Sequence, residues 1–117
     1  MFHTLHAMFM AQHTELWSAV DPIGERIRSL GHPAPGSCAP YGALTSLTSL
    51  RAAPATPPKA LEMVRILVGG QEAVARTSRS VFPLADKAVD EPAADLLAQR
   101  LTVHEQTAWM LRSLMEE

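Results

Sequence analysis

Residues 2–30 read FHTLHAMFMAQHTELWSAVDPIGERIRSL, and the spacing inside this stretch decides the fold class. Leu5, Phe9, Leu16, Val20, Ile23, Ile27 and Leu30 recur at intervals of three, four or seven. An α-helix turns once in about 3.6 residues, so these intervals gather the apolar side chains into one stripe. Glu15, Arg26 and Arg28 fall on the other side. Gly31 supplies a C-terminal stop, and Pro33 follows it. Pro22 lies inside the pattern, where it removes one helical hydrogen bond and predicts a bend near Ser18. The periodicity continues in phase beyond it, so one bent helix is expected.

The segment 31–57 is rich in Gly, Pro, Ser and Ala. It reads as a long connection, with a short helix expected around Tyr41–Ser49 and Pro40 near its first turn. Pro57 and Pro58 suit the start of the next helix. Leu61, Val64, Leu67, Val68, Val74, Val81 and Phe82 carry it to about Ala85, across the weak helix formers Gly69 and Gly70. Asp90, Glu91 and Pro92 then form a helix start: an acidic cap followed by proline in the first turn. Leu96, Leu97, Leu101, Ala108, Leu111, Leu114 and Met115 make the last stripe, expected to run to the chain end. No alternating strand pattern or repeat is present. The expectation is a single all-α domain over residues 1–117, a helical bundle of three long helices with a short one in the connection. Three amphipathic helices leave apolar surface uncovered, which favours association of copies.

The charge balance is mixed: 10 basic against 12 acidic side chains, formal net charge −2, and no basic run at either end. Grip on phosphates needs a basic surface, so DNA is an unlikely partner. The single cysteine, Cys38, has no partner for an internal disulfide or a thiolate metal site. No apolar run is long enough to cross a bilayer and no secretory leader pattern is visible, so no membrane association is expected, with cytoplasmic residence.

Two groups of residues bear on chemistry. His3, His6, Met10 and His13 follow one another at three, four and three residues and so lie near one helix face. Imidazole and thioether together suit a soft metal, or a haem; the other reading is ordinary helix surface or core filling. Asp21 and Glu25 stand one turn apart, and their oxygens together with an imidazole suit a hard cation such as iron. Acids at this spacing are also common on solvated faces. His104 and Glu105 form no HExxH or ExxH pattern and are expected to be a surface or interhelical pair. No phosphate-binding loop, dinucleotide turn or nucleophile triad is present.

The stretch Met1-Phe-His-Thr-Leu-His6, continued by Asp21-Pro-Ile-Gly-Glu-Arg-Ile-Arg-Ser-Leu-Gly31, resembles the second helix of the Dps-like mini-ferritins of the ferritin-like superfamily. Asp90-Glu-Pro-Ala-Ala-Asp-Leu-Leu97, followed by His104-Glu105 and Trp109-Met-Leu-Arg112, resembles their last helix. The resemblance implies a ferritin-like bundle truncated by the absence of the family's first helix, and a homo-oligomer with two-fold interfaces. It implies iron (Fe2+/Fe3+) as the bound metal, with ferrous iron and hydrogen peroxide as substrates. The ligands it implies are His6 from one subunit with Asp21 and Glu25 from the facing one, and Asp95 lining an iron-entry pore. The pattern departs at position 10, where the family carries an acidic ligand and this chain has Met10. A thioether serves iron poorly, so weakened ferroxidase chemistry is expected. The alternative is a structural helical oligomer in which that function is lost.

Overall fold

The computed structural model describes residues 1–47 and 55–116. These hold four helices and no strand: α1 (Phe2–Ser29), α2 (Cys38–Leu44), α3 (Ala60–Lys87) and α4 (Glu91–Ser113). The three long helices and the short one match the expected number and order. The short helix begins earlier than its apolar content suggested, at Cys38, and ends at Leu44; the expected end at Ser49 lies outside the described residues. α3 begins at Ala60 rather than at the prolines. A residue before proline is pushed toward extended backbone, and Pro57 precedes Pro58. Lys59 is still extended, at φ −65° and ψ 157°. α4 stops at Ser113, short of the chain end. The chain divides into two compact units, Met1–Leu44 and Thr45–Glu117.

In the first unit, α1 runs through Pro22 without interruption. It ends in a hydrogen-bonded reversal in which the Gly31 amide donates to the Arg28 carbonyl at 2.9 Å and the His32 amide to the Ile27 carbonyl at 3.2 Å. That pairing requires a left-handed residue between, and Gly31 takes it, at φ 90°. The chain then turns back along the end of α1. The Tyr41 hydroxyl, on α2, donates to the Pro35 carbonyl at 2.9 Å.

The second unit is a helical hairpin. α3 closes with the same reversal: the Val89 amide donates to the Asp86 carbonyl at 3.0 Å and the Asp90 amide to the Ala85 carbonyl at 2.9 Å. Here the left-handed position is occupied by valine, at φ 56°. Asp90 immediately caps α4, its carboxylate accepting from the Ala93 amide at 3.1 Å. With only Ala88, Val89 and Asp90 between them, the two helices must run antiparallel.

α3 buries Val64, Val68, Gln71, Ala75, Ser78 and Ala85, spaced by threes, fours and one seven, and Ala73 beside that register. Val74 and Val81, which hydrophobicity had favoured, are left more than a third exposed, at 37% and 40%. On α4 the buried residues are Arg100, His104, Ala108 and Leu111, while Leu96, Leu97 and Leu101 are half-buried. Small and polar side chains hold the central seam because the geometry there favours close approach and cross-helix hydrogen bonding over bulk. His104 is 2% exposed. Its Nδ1 lies 2.6 Å from Gln71 Oε1, and its Nε2 lies 2.9 Å from an Arg100 guanidinium nitrogen. A guanidinium only donates, so Nε2 must accept, and Nδ1 then carries the proton and donates to the amide oxygen. His104 is thus an interhelical link in one defined tautomer.

Candidate metal site

Asp21 and Glu25 sit one turn apart near the C-terminal end of α1, on either side of Gly24. Both are exposed. They line a shallow hollow of about 620 Å3 together with Val20, Gly24, Arg28, Ser29, Ala34 and Pro35. The hollow exists because the Gly31 reversal carries Ala34 and Pro35 back beside the helix. Its other polar groups are already engaged. The Ser29 hydroxyl donates to the Glu25 backbone carbonyl at 2.7 Å, and an Arg28 guanidinium nitrogen donates to the His32 carbonyl at 3.3 Å. Neither carboxylate is held in an ion pair or side-chain hydrogen bond by the described residues. Pro22 has no amide to donate, so the Ser18 carbonyl also lacks its helical partner.

His6 lies near the other end of the same helix. Fifteen residues separate it from Asp21, roughly 22 Å at about 1.5 Å per residue. No single chain brings the three together, and among the described residues no group of three or more His, Cys, Asp or Glu is gathered as a metal cage. The imidazole of His6 stacks on the ring of Phe2, centroids 5.7 Å apart and planes inclined by 11°, and Phe2 meets His3 edge-on at 5.8 Å. Stacking occupies one face of the His6 ring and leaves its in-plane nitrogens clear. Asp95, on α4, is exposed, and its carboxylate accepts from the Gln99 side chain at 2.8 Å.

Sequence reading passed over Gln71 and Arg100, the partners of His104. The available signal was their register: Gln71 continues the Val64–Val68 spacing, and Arg100 lies one turn before His104. It also passed over the paired charges beside them on the hairpin surface. The Arg79 guanidinium pairs with the Glu105 carboxylate, and Arg112 with Glu72 at 2.9 Å. These pairs tie α3 to α4 and line a second hollow, about 400 Å3, with Arg76 at its edge.

The ferritin-like domain family matches this chain across residues 1–117. The chain belongs to the ferritin-like family. An uncharacterized low temperature-induced protein of Nostoc sp. is 34% identical over 116 residues, covering 98% of this chain and 63% of that protein. Its homolog in Anabaena variabilis matches to the same extent. DNA protection during starvation protein 2 of Bacillus anthracis is 28% identical over 116 residues, covering 99% of this chain and 77% of that protein. The resemblance to the Dps-like branch therefore holds, and the all-α architecture agrees with a ferritin-like helical bundle. The chain spans 63% of the length of the two cyanobacterial relatives. Among the described residues no helix is long and apolar enough to cross a membrane.

Proposed function

We propose that this ferritin-like chain binds and stores iron at a metal site built between two copies of itself. His6 of one protomer faces Asp21 and Glu25 of its partner across a two-fold axis. The observation that carries the reading is the acidic pair: two exposed carboxylates, one turn apart, on one hollow, with no cation among the described residues pairing either of them. Hard oxygen donors of this kind suit ferrous and ferric iron, and an imidazole completes a mixed set. Antiparallel pairing of two α1 helices satisfies the spacing. His6 stands opposite the Asp21–Glu25 turn when the axis crosses α1 near Thr14. At about 100° per residue, Met10, Trp17 and Asp21 lie within about 60° of His6 around the helix. Trp17 is 75% exposed, which supports a second copy covering the helix there.

Ferrous iron and hydrogen peroxide are the substrates in this reading. Two ferrous ions each give one electron to a peroxide molecule, its O–O bond breaks, and the oxygens leave as hydroxide or water while ferric iron hydrolyses to the stored oxide. The chain's part is to hold iron through His6, Asp21 and Glu25 and to leave a position open to the oxidant. Met10, beside His6, offers a soft thioether where a carboxylate would stabilise ferric iron, so oxidation is slow. Asp95 attracts ferrous iron toward the entry route. DNA is not a partner in this reading, since the formal net charge is −2.

The test is ferrous iron loading under anaerobic conditions, followed by peroxide and the growth of near-ultraviolet ferric absorbance. Wild-type protein should retain iron through gel filtration. His6→Ala and Glu25→Ala should lose it, and Asp95→Asn should slow uptake without lowering final capacity. Iron retention no greater than that of a buffer control removes the proposal. An assembled oligomer that retains no iron would instead support the second reading, a structural helical oligomer, which Met10 favours.

A further inference from the structure

We infer that the first three turns of α1 hold a second metal site, for a soft monovalent cation of the copper(I) class. Its donors are the thioether of Met10 and the imidazoles of His6 and His13, one turn to either side. The inference shares His6 with the iron reading but does not rest on it, because all three donors belong to one helix of one chain.

Methionine on an amphipathic helix is ordinarily core filling. Met10 is not: it is 53% exposed, and His6 and His13 are exposed on either side of it. Residues at i,i+3 and i,i+4 on a helix have β-carbons about 5–6 Å apart, close enough for two side chains to chelate one ion, as paired histidines at i,i+4 do for zinc. His6 and Met10 stand about 40° apart around the axis and Met10 and His13 about 60°. The thioether is central, and the two imidazoles reach toward it from above and below. His6 is held by its stack on Phe2, which leaves its ring nitrogens available. No hydrogen bond or ion pair engages His6 or His13 among the described residues.

The donor chemistry selects the ion. Thioether and imidazole are soft and borderline ligands, and soft sulfur donors favour copper(I) over iron, magnesium or calcium. A filled-shell monovalent ion is satisfied by two or three such ligands. The absence of a carboxylate-rich cage among the described residues is therefore no obstacle here, whereas it would be for a hard divalent ion. His3, one turn before His6, is turned toward Phe2 edge-on and is not required.

The experiment is anaerobic titration of the full chain with copper(I) held by a coloured bicinchoninate complex, so that transfer to protein bleaches the chelator. One copper per chain should be withdrawn. Met10→Leu keeps size, apolarity and helix propensity and should raise the dissociation constant at least about tenfold; His13→Gln should weaken binding as well. Asp21→Ala and Glu25→Ala should leave copper binding unchanged while abolishing iron retention, which separates this site from the iron reading. X-ray absorption of the copper-loaded protein should show sulfur in the first coordination shell. Failure to bleach the chelator overturns the inference, and so does Met10→Leu binding copper as tightly as wild type.

Discussion

Val89→Gly should make the α3–α4 hairpin more stable, although it deletes a side chain. Val89 occupies the left-handed position of the reversal that ends α3, at φ 56°. A β-branched residue there crowds its own carbonyl and stores roughly 1–3 kcal/mol of backbone strain. The valine recovers little in return, since it is 76% exposed. With about a quarter of its surface covered, burial contributes on the order of 0.5 kcal/mol. Glycine removes the strain but brings about 0.5–1 kcal/mol of extra chain entropy to the unfolded state. The balance is a gain of just under about 1 kcal/mol, with the strain taken at the middle of its range. In a domain of this size that is roughly 3–6 °C in Tm. The control is Val89→Ala, which gives up the burial yet keeps the β-carbon that causes the strain, and should be neutral or slightly destabilising. Denaturant unfolding followed by circular dichroism, at one fixed protein concentration, measures all three proteins. The reasoning is refuted if Val89→Gly is no more stable than Val89→Ala. Gly31 supplies the reciprocal case, because α1 ends in the same motif with glycine in place. A β-carbon at Gly31 would meet nothing within 4 Å, so the loss on Gly31→Val is purely a backbone effect of about 1–3 kcal/mol.

Other outcomes follow from the same structure. His104→Leu should cost about 2–4 kcal/mol, since it strands the Gln71 amide oxygen and removes the acceptor facing Arg100 in a buried seam; nitrogen-15 NMR of wild type should show Nδ1 protonated, and an Nε2-protonated ring would contradict the link. Arg112→Ala should change stability by less than about 1 kcal/mol, because the Arg112–Glu72 pair is nearly half exposed on both sides; a larger loss by denaturant titration would mean the pair is shielded from water in the assembly. Met10→Glu should speed peroxide-driven iron oxidation by about tenfold if the missing carboxylate costs about 1.4 kcal/mol at the barrier, and should abolish copper(I) binding; an unchanged oxidation rate would clear Met10 of limiting the site.

The amino-acid sequence by itself determined the helices and their order, because periodicity and punctuation act within a few residues. The stripe from Leu5 to Leu30 fixed α1, Gly31 its end, and Asp90 with Pro92 the start of α4. It also put Asp21 and Glu25 on neighbouring turns, since four residues are about one turn whatever surrounds them. The end of α3 was misplaced by two residues because its reversal uses valine, a residue that carries no stop signal. Tertiary structure decided the rest. The hairpin seam runs through Gln71, Ser78, Arg100 and His104 rather than through the more apolar Val74 and Val81, because burial depends on which side faces the other helix and not on hydrophobicity alone. The hollow beside the acidic pair likewise depends on the chain folding back after Gly31, a non-local consequence of one left-handed residue. The spacing of His6 from the carboxylates sets the remaining limit: about 22 Å of helix separates it from Asp21, so one chain does not bring them together, and the proposed iron site calls for a second copy.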